Sequence, residues 1–247
     1  AAAAERLDQT SITQLAIFTI EYALAKQWMA WGIRPSALVG HSIGEYVAAC
    51  VSGVLDLKDA LWLVSIRGRI MQDARDGAMV AVPLSEEKVR ELMGPDLWLA
   101  AVNGASQSVV SGEEQHILAF EQTLRDESIT STRLRTSGAF HSGLMTGVIG
   151  PLDEAVASMS IGRPRIPYVS NVTGTWITED DVRDRQYWGR HACETVRFKA
   201  SIDCLLDWGS NAVFLEVGPG HTLGPLVEQM ARARAAQAAG PTTIASL

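Results

Sequence analysis

The 247-residue sequence has few cysteines, no long apolar run and no dense stretch of positive charge. Its three cysteines, Cys50, Cys193 and Cys204, form neither an even set for disulfide bonds nor a metal-binding spacing, so we expect reduced thiols, no metal site and a cytoplasmic location. The apolar run at 46–55 is interrupted at Ser52 and is far shorter than the roughly 20 residues of a membrane span. The alanine-rich N-terminus lacks the basic and apolar regions of a signal peptide, so no membrane partner is expected.

Charge and composition exclude further classes of protein. The sequence has 21 lysines and arginines and 28 acidic residues, and the net charge of −7 disfavours a nucleic-acid partner. Apolar residues make up 47% of the chain and charged residues 20%, which is typical of a folded globular protein. The length fits one large domain or a domain that carries an inserted subdomain.

The order of predicted elements indicates an α/β fold with a mainly parallel sheet. Apolar residues at helical spacing predict a first helix over 10–31, capped by Thr10 or Ser11, with a buried stripe that includes Ile12, Leu15 and Ile20. A strand at 37–39 and helices at 43–51 and 56–74 follow. After residue 143 we predict helices at 144–159, 181–191, 198–208 and 223–236, and strands at 166–169, 213–217 and 242–246.

The stretch 78–136 has a different order of elements. We predict strands at 78–83, 97–103, 108–111 and 129–135, and helices at 85–93 and 113–126. This βαββαβ order is typical of a ferredoxin-like unit. The sequence therefore predicts a ferredoxin-like subdomain at 78–136, inserted into a large α/β body formed by 1–77 and 137–247. The alanine-rich ends are expected to be frayed.

The segment Gly40-His41-Ser42-Ile43-Gly44 is a G-x-S-x-G motif between a predicted strand and a predicted helix. A sharp turn at this place lifts the serine oxygen above the sheet, and the helix that follows leaves free backbone N–H groups beside it. The N–H of Ile43 is then a natural oxyanion donor. A chance Gly/Ser turn has the same letters, but the strand–turn–helix context favours a nucleophile.

Five histidines are candidates for the base that a serine nucleophile needs. His116 lies in a polar helix, and His41 adjoins the serine, where it is expected to shape the turn. His191 and His221 fit loop or cap positions. His141 follows a strand where the chain returns to the large body, and its position alone makes it the best of the five.

Arg67 interrupts the apolar helical run at 60–66. A half-buried guanidinium at such a place needs an anionic partner. Two interpretations have equal weight on these residues alone. One is an internal salt bridge with Asp56 or Glu45, and the other is a bidentate clamp for the carboxylate of a substrate.

Eight short segments run along nearly the whole chain: TQ at 13–14, GHSIGEY at 40–46, IRGRIMQ at 66–72, AVNG at 101–104, GAFHS at 138–142, VSNVTG at 169–174, TVRF at 195–198 and EVGPG at 216–220. Together, and in this order, they resemble the acyltransferase domain of modular polyketide synthases and the related malonyl-CoA:acyl-carrier-protein transacylase of fatty-acid synthesis. The resemblance implies a hydrolase-like α/β body with a ferredoxin-like insertion.

The resemblance implies that Ser42 is the acylated nucleophile and His141 its base, in a dyad without an aspartate. A backbone carbonyl near Arg197 would orient the imidazole. Arg67 corresponds to the arginine that pairs with the free carboxylate of a malonyl-type substrate, and Gln14 to a position near the acyl pocket. The implied substrate-binding residues are Arg67, Phe140, Gln14 and His41.

The GAFHS segment is similar to the HAFH version of the family's specificity motif, which goes with malonyl selection, whereas YASH goes with methylmalonyl. Phe140 would fill the space that an α-methyl branch needs. One methyl group is worth about 1–3 kcal/mol of discrimination, so the expected preference is finite. Gly138 departs from the pattern, since histidine is usual at that position.

The implied reaction is a ping-pong transfer from malonyl-CoA to the phosphopantetheine thiol of an acyl carrier protein, with no metal or other cofactor. Expected partners include neighbouring domains such as a ketosynthase. Docking of an acidic carrier needs a local basic patch, for which Arg133, Arg135 and the region 183–190 are candidates. Family members also open with a strand and a GQGSQ-like turn that supplies a second oxyanion group. The sequence has no such segment, so we expect poor activity and stability if nothing precedes residue 1.

Two other functions compete with this interpretation. A serine hydrolase or thioesterase would need a carboxylate on the histidine, in the chain order serine, acid, histidine. Asp126 and Glu127 lie between Ser42 and His141 but belong to the predicted insertion. A non-catalytic docking module would keep the fold without needing an intact Ser42, His141 and Arg67.

Overall fold

A computed structural model describes residues 6–74, 76–136, 138–209, 212–234 and 241–246. The alanine-rich ends at 1–5 and 235–240, which the sequence predicts to be frayed, lie outside these residues.

The first helix, α1 (Thr10–Ala30), is nearly as long as predicted, but the face that it buries is different. Its buried residues are Thr10, Gln14 and Phe18, whereas Ile20 on the predicted stripe is 38% exposed. Gln9 is the N-cap residue, and neither Thr10 nor Ser11 takes that place. The predicted stripe was right at Leu15, which packs against the core, and wrong at Ile20, because apolar spacing cannot reveal that a polar side chain such as Gln14 faces inward to bond a buried partner.

The next elements lead into the motif at 40–44. Strand β1 (Leu38–Val39) is followed by helices α2 (Ile43–Ser52) and α3 (Leu57–Gln72). Gly53, with φ of 89°, ends α2 in the left-handed conformation that favours glycine. Asp56 caps α3, since its carboxylate accepts a hydrogen bond from Asp59 N at 2.7 Å.

The chain then builds a four-stranded antiparallel sheet with two helices. Its elements are β2 (Ala78–Val82), α4 (Glu86–Leu92), β3 (Leu97–Gly104), β4 (Gln107–Gly112), α5 (Glu114–Asp126) and β5 (Thr132–Arg133). The strand order is β3-β4-β2-β5. One face of the sheet packs on α4 and α5 around Val80, Val110 and Ile117. The order of elements along the chain is the predicted one.

The second half of the large body alternates helices and short strands. A 3₁₀ helix (Gly143–Val148) leads into α6 (Ile149–Ala157), followed by β6 (Tyr168–Val169), α7 (Glu179–Arg183), α8 (Tyr187–Cys193), α9 (Phe198–Trp208), β7 (Val213–Glu216), α10 (Leu223–Arg234) and β8 (Thr242–Ala245). The predicted helix at 181–191 is in fact two, because the carboxylate of Asp184 accepts a hydrogen bond from Gln186 N and turns the chain between α7 and α8.

The strands of the large body pair in parallel, as predicted, but in two separate pairs. β1 pairs with β6, with Leu38 opposite Tyr168, and β7 pairs with β8. Among the described residues these pairs are not hydrogen-bonded to each other. Since β1 and β6 run in parallel, their carboxyl ends lie side by side, and Gly40 and Ser170 begin the loops that leave this edge.

In the described part of the chain, three groups of buried apolar side chains hold these layers together. The largest lies among α2, α3, α6 and α8, and the second under the antiparallel sheet. The third joins the other face of that sheet to α9 and α10, through Met79, Val109 and Phe198. No helix in the described ranges has both the length and the apolar character that a membrane crossing requires.

Candidate active site

Ser42 lies in the sharp turn between β1 and α2. Its φ of 50° and ψ of −109° are strained for a residue that carries a Cβ. Gly40 makes the turn possible, because a Cβ there would lie 2.1 Å from the Gly44 carbonyl carbon. Gly44 is not required in the same way, since its nearest contact for an added Cβ is 3.5 Å, to the Glu21 carboxylate. The hydroxyl therefore stands at the N-terminus of α2.

The structure brings Ser42 and His141 together. Ser42 Oγ lies 2.7 Å from His141 Nε2, and His141 Nδ1 lies 2.9 Å from the carbonyl oxygen of Glu194. A carbonyl can only accept, so Nδ1 carries the proton and Nε2 presents its lone pair to the serine. The sequence prediction placed the orienting carbonyl at Arg197. That position was wrong, because the Arg197 carbonyl accepts instead from Ser201 within α9.

Burial keeps the His141 imidazole neutral. Desolvation lowers the pKa of His141 well below its usual value, and the guanidinium of Arg67 lowers it further. The pKa of His41 is also lowered by burial. A neutral His141 has a free lone pair over the whole neutral pH range, as a general base requires.

Arg67 reaches the Ser42 hydroxyl from α3. It is 2% exposed, its Nη1 donates to Gln14 Oε1 at 2.6 Å, and its Nη2 donates to Ser42 Oγ at 3.1 Å. The ring of Tyr46 lies below the guanidinium carbon, with its centroid at 5.3 Å. Nε has no hydrogen-bond partner among the described residues.

No carboxylate of the described residues forms an ion pair with Arg67, and the two acids proposed as its internal partners are engaged elsewhere. Asp56 caps α3. Glu45 is fully buried and accepts hydrogen bonds from Asn171 N and Tyr187 Oη. The internal salt bridge is therefore the weaker of the two sequence interpretations, and Arg67 is a buried cation beside Ser42 that has no carboxylate partner in the described part of the chain.

The other histidines occupy four different environments. His41 Nε2 lies 2.8 Å from Asn103 Oδ1, and its ring packs on Phe198. His191, predicted at a loop or cap position, lies in the last turn of α8 and is fully buried, with Nε2 3.2 Å from Glu45 Oε2 and its ring centroid 6.2 Å from that of His141. His116 lies on α5, near Asp96, and His221 is exposed.

Phe140 lies directly before His141 and packs between two of the buried apolar groups. Its ring covers Gly138, where an added Cβ would lie 2.9 Å from Phe140 Cε1. The Phe140 ring can therefore occupy this position because residue 138 has no side chain.

Three arginines of the predicted basic patch are paired with acids. Arg133 lies 2.7 Å from Glu114, Arg183 lies 3.0 Å from Glu179, and Arg190 lies 2.5 Å from Asp184. These pairs neutralise most of the patch, so the structure gives it little support as a docking surface. No cluster of three or more His, Cys, Asp or Glu side chains in the described ranges is arranged to hold a metal ion.

Sequence reasoning missed two residues that contact the dyad or its turn. Glu194 supplies the carbonyl for His141, and it is placed by the hydrogen bonds of Val196 to β3. Asn171 bonds the turn itself, since its Oδ1 accepts from Ser42 N at 2.7 Å and its Nδ2 donates to the Gly40 carbonyl at 2.9 Å. A signal for Asn171 was present, because a polar residue just after a strand that pairs in parallel with β1 must lie near Ser42.

Comparison with known proteins matches the whole arrangement to one family. The model of the acyl transferase domain family matches residues 1–245. The spectinabilin polyketide synthase system protein NorB of Streptomyces orinoci is 41% identical over 226 residues, which are 90% of this chain and 10% of that protein. Mycoketide-CoA synthase of Mycobacterium tuberculosis is 42% identical over 224 residues, which are 90% of this chain and 5% of that synthase.

Solved structures agree with this match. The acyl transferase domain of SpnD, in complex with 2-(pent-4-yn-1-yl)malonyl, is 36% identical, with a TM-score of 0.89 over 96% of this chain and 57% of that one. FabD from Acinetobacter baumannii is 28% identical, with a TM-score of 0.89 over 98% of this chain and 78% of that one. The chain thus spans a tenth or less of the two synthase proteins and little more than half of the SpnD chain.

Proposed function

The chain belongs to the acyl transferase domain family, and from this premise we propose that it transfers a malonyl-type acyl unit from coenzyme A to the thiol of an acyl carrier protein. The observation that carries the proposal is Arg67, a buried guanidinium with no carboxylate partner among the described residues and with Nη2 3.1 Å from Ser42 Oγ. A substrate with a free carboxylate near its thioester would supply the missing anion. The SpnD domain, with its bound malonyl derivative, supports this class of substrate.

In the first half-reaction His141 Nε2 takes the hydroxyl proton while Ser42 Oγ attacks the thioester carbonyl. The Ile43 N–H stabilises the oxyanion, and the C–S bond then breaks. His141 returns this proton to the departing sulfur, so coenzyme A leaves as its free thiol. The acyl group remains as an ester on Ser42. The hydrogen bond from His141 Nδ1 to the Glu194 carbonyl keeps the imidazole in the required tautomer throughout.

The second half-reaction repeats these steps with a new thiol. His141 takes the proton of the phosphopantetheine thiol, the sulfur attacks the seryl ester, and the Ser42 oxygen leaves and regains its proton. Each half-reaction exchanges one ester or thioester bond for another. Neither substrate is oxidised or reduced, and every proton passes through His141.

Substrate selection is assigned to four side chains. Arg67 binds the carboxylate, Gln14 holds Arg67 in place through the bond of 2.6 Å, and Phe140 fills the space of an α-branch. His41 lines the turn beside the nucleophile and is held by Asn103. These roles support a preference for malonyl over methylmalonyl. The two substrates differ by one methyl group, so the expected difference in their transition-state free energies is about 1–3 kcal/mol.

We also propose the domain division predicted from the sequence, with a ferredoxin-like subdomain at 78–136 inserted into a hydrolase-like body of 1–77 and 137–247. The subdomain has its own apolar core and the strand order β3-β4-β2-β5. The relatives that are polyketide synthases support a place beside other domains, such as a ketosynthase, in a multienzyme. The cytoplasmic location stays a prediction.

The two competing functions have less support. A serine hydrolase would need a carboxylate on His141 Nδ1, but that atom faces a backbone carbonyl. Asp126 and Glu127 lie at the exposed end of α5. A docking module without activity would have no need for the aligned Ser42, His141 and Arg67.

The test is the intact mass of the protein after brief mixing with malonyl-CoA, methylmalonyl-CoA or acetyl-CoA. We expect a malonyl adduct that is absent from Ser42→Ala and smaller with the other two thioesters. Steady release of coenzyme A without an adduct would instead indicate a thioesterase. No adduct and no release would contradict any acyl chemistry at Ser42.

A further inference from the structure

The Asn171 carboxamide joins the backbone on both sides of His41. Its Oδ1 accepts a hydrogen bond from Ser42 N at 2.7 Å, and its Nδ2 donates to the Gly40 carbonyl at 2.9 Å. A carboxamide has one accepting end and one donating end, so a single orientation satisfies both contacts. These two bonds fix the path of the chain through the turn at 40–42.

The backbone of Asn171 is held just as firmly. Its N–H donates to Glu45 Oε2 at 2.7 Å, and its carbonyl accepts from Arg197 N at 2.9 Å. Glu45 is fully buried in the first turn of α2, and Tyr187 Oη donates to its other oxygen. The Glu45 carboxylate thus ties the helix that follows the nucleophile to the loop that carries Asn171.

The turn needs such support because Ser42 is strained. Its positive φ of 50° costs free energy for a residue with a Cβ, and such conformations persist only where several surrounding contacts impose them. Among the described residues, Asn171 is the residue whose side chain bonds the backbone at both ends of the turn, at Gly40 and at Ser42.

The hydrogen bonds of Asn171 also give different roles to two neighbouring backbone N–H groups. The Ser42 N–H is occupied by Asn171, so it is not available to an oxyanion. The next N–H, that of Ile43, has no acceptor in the described part of the chain. The hydrogen bonds of Asn171 therefore leave the Ile43 N–H as the backbone donor that can bind the substrate oxygen.

We propose that Asn171, supported by Glu45, is a positioning residue for acyl transfer, which holds the turn at 40–42 so that Ser42 Oγ meets His141 and the Ile43 N–H faces the acyl oxygen. The inference rests on the proposed function and deepens it. Asn171 touches neither the substrate nor the imidazole, and it acts only through the backbone of the turn.

The experiment measures the rate constant of Ser42 acylation by malonyl-CoA, followed by intact mass at a series of concentrations and pH values. The variants are Asn171→Ala and Asn171→Asp, with Ser201→Ala as the matched control. Ser201 is fully buried and its Oγ bonds the carbonyls of Arg197 and Ser170, so its loss disturbs the same loop but not the turn. Thermal unfolding of every variant gives its stability.

We expect Asn171→Ala to lower the acylation rate constant by about 10- to 100-fold, the effect of misplacing a reacting group, with the half-saturating concentration of malonyl-CoA changed less than about threefold. The pH midpoint of the reaction should not move, since the contacts of His141 are intact. Asn171→Asp should also acylate slowly, because the carboxylate keeps an acceptor for Ser42 N but has no donor for the Gly40 carbonyl. This variant provides the test if Asn171→Ala does not fold. Ser201→Ala should lose stability while its rate constant stays within about twofold of the unsubstituted protein.

Two results would overturn the inference. One is an Asn171 variant that acylates as fast as the unsubstituted protein. The other is a loss of rate in Ser201→Ala as large as that in Asn171→Ala at equal loss of stability, which would indicate a general effect of the loop. If the unsubstituted protein itself forms no adduct on Ser42, the proposed function fails instead, so the two failures are distinguishable.

Discussion

Replacing Arg67 with alanine tests the assignment of the carboxylate partner. The guanidinium is 2% exposed and holds its place through Gln14 and the Tyr46 ring, so a substrate carboxylate would bind it in a largely dry site. Removal of one partner from a buried charged pair costs about 3–5 kcal/mol. Because about 1.4 kcal/mol of free energy corresponds to a tenfold change in a rate constant, kcat/KM for malonyl-CoA should fall by roughly 10²- to 10⁴-fold.

Acetyl-CoA is the matched control substrate, because it has the same thioester but no carboxylate. We expect Arg67→Ala to acylate from acetyl-CoA within about tenfold of the unsubstituted protein, the remaining loss reflecting the lost bond to Ser42 Oγ. The assay is the rate of adduct formation with each thioester at several concentrations. An equal loss with both substrates would refute the clamp and leave Arg67 only a role in supporting the nucleophile.

The pH dependence of the same variant gives a second readout. The Arg67 cation contributes to the lowered pKa of His141, after desolvation. Its removal makes protonation of the imidazole easier, so the pKa of His141 rises towards its ordinary value. The acid limb of the acetyl-CoA profile should therefore move to higher pH, and a profile that stays in place would contradict the electrostatic coupling.

Three further substitutions follow from the contacts. Gln14→Leu leaves Arg67 Nη1 without its acceptor, and we expect kcat/KM for malonyl-CoA to fall by about 3- to 10-fold, the effect of one hydrogen bond, while acetyl-CoA changes less than twofold. Phe140→Ser opens space for a branch, so competition between the two thioesters should show methylmalonyl adducts gaining about 10-fold or more on malonyl, and an unchanged ratio would remove Phe140 from selection. Burial and the nearby Glu216 raise the pKa of Glu21 from 4.5 to about 7, so its ionisation destabilises the fold as pH rises through that window. Glu21→Gln should match the unsubstituted protein in denaturant unfolding near pH 4 and be more stable by about 3 kcal/mol near pH 8, whereas a constant difference would contradict the raised pKa.

The sequence located the parts of the site that depend on local chemistry. The strand–turn–helix context of residues 40–44 identified Ser42 and Ile43, and the charged interruption of an apolar run identified Arg67. The boundary predicted between the helices at 43–51 and 56–74 also agrees with the structure, where Gly53 ends α2 and Asp56 caps α3. Position along the chain was weaker evidence for His141. It made His141 the best of the five histidines, and the resemblance then assigned it the role of base.

Other predictions failed because they depended on what packs against a segment. The buried face of α1 was wrong because Gln14 turns inward to meet a side chain 53 residues away. The carbonyl that orients His141 was placed three residues too late, since the hydrogen bonds between Val196 and β3 decide which carbonyl of the segment after α8 points at the ring. His191 was expected at a loop or cap position, and the sequence did not reveal that its side chain is fully buried beside Glu45.

The sequence by itself determined the order of elements apart from the division of the helix at 181–191, and it determined the turn at 40–44 and the family. Only the tertiary structure decided that Asp56 and Glu45 bond other groups. It therefore also decided that Arg67 has no carboxylate partner among the described residues. It also decided that Asn171 lies against a turn 129 residues earlier in the chain, through the parallel pairing of β1 and β6. The physical reason is that hydrogen bonds and desolvation act over a few ångströms in space, and separation along the sequence says little about that distance until the strands have paired.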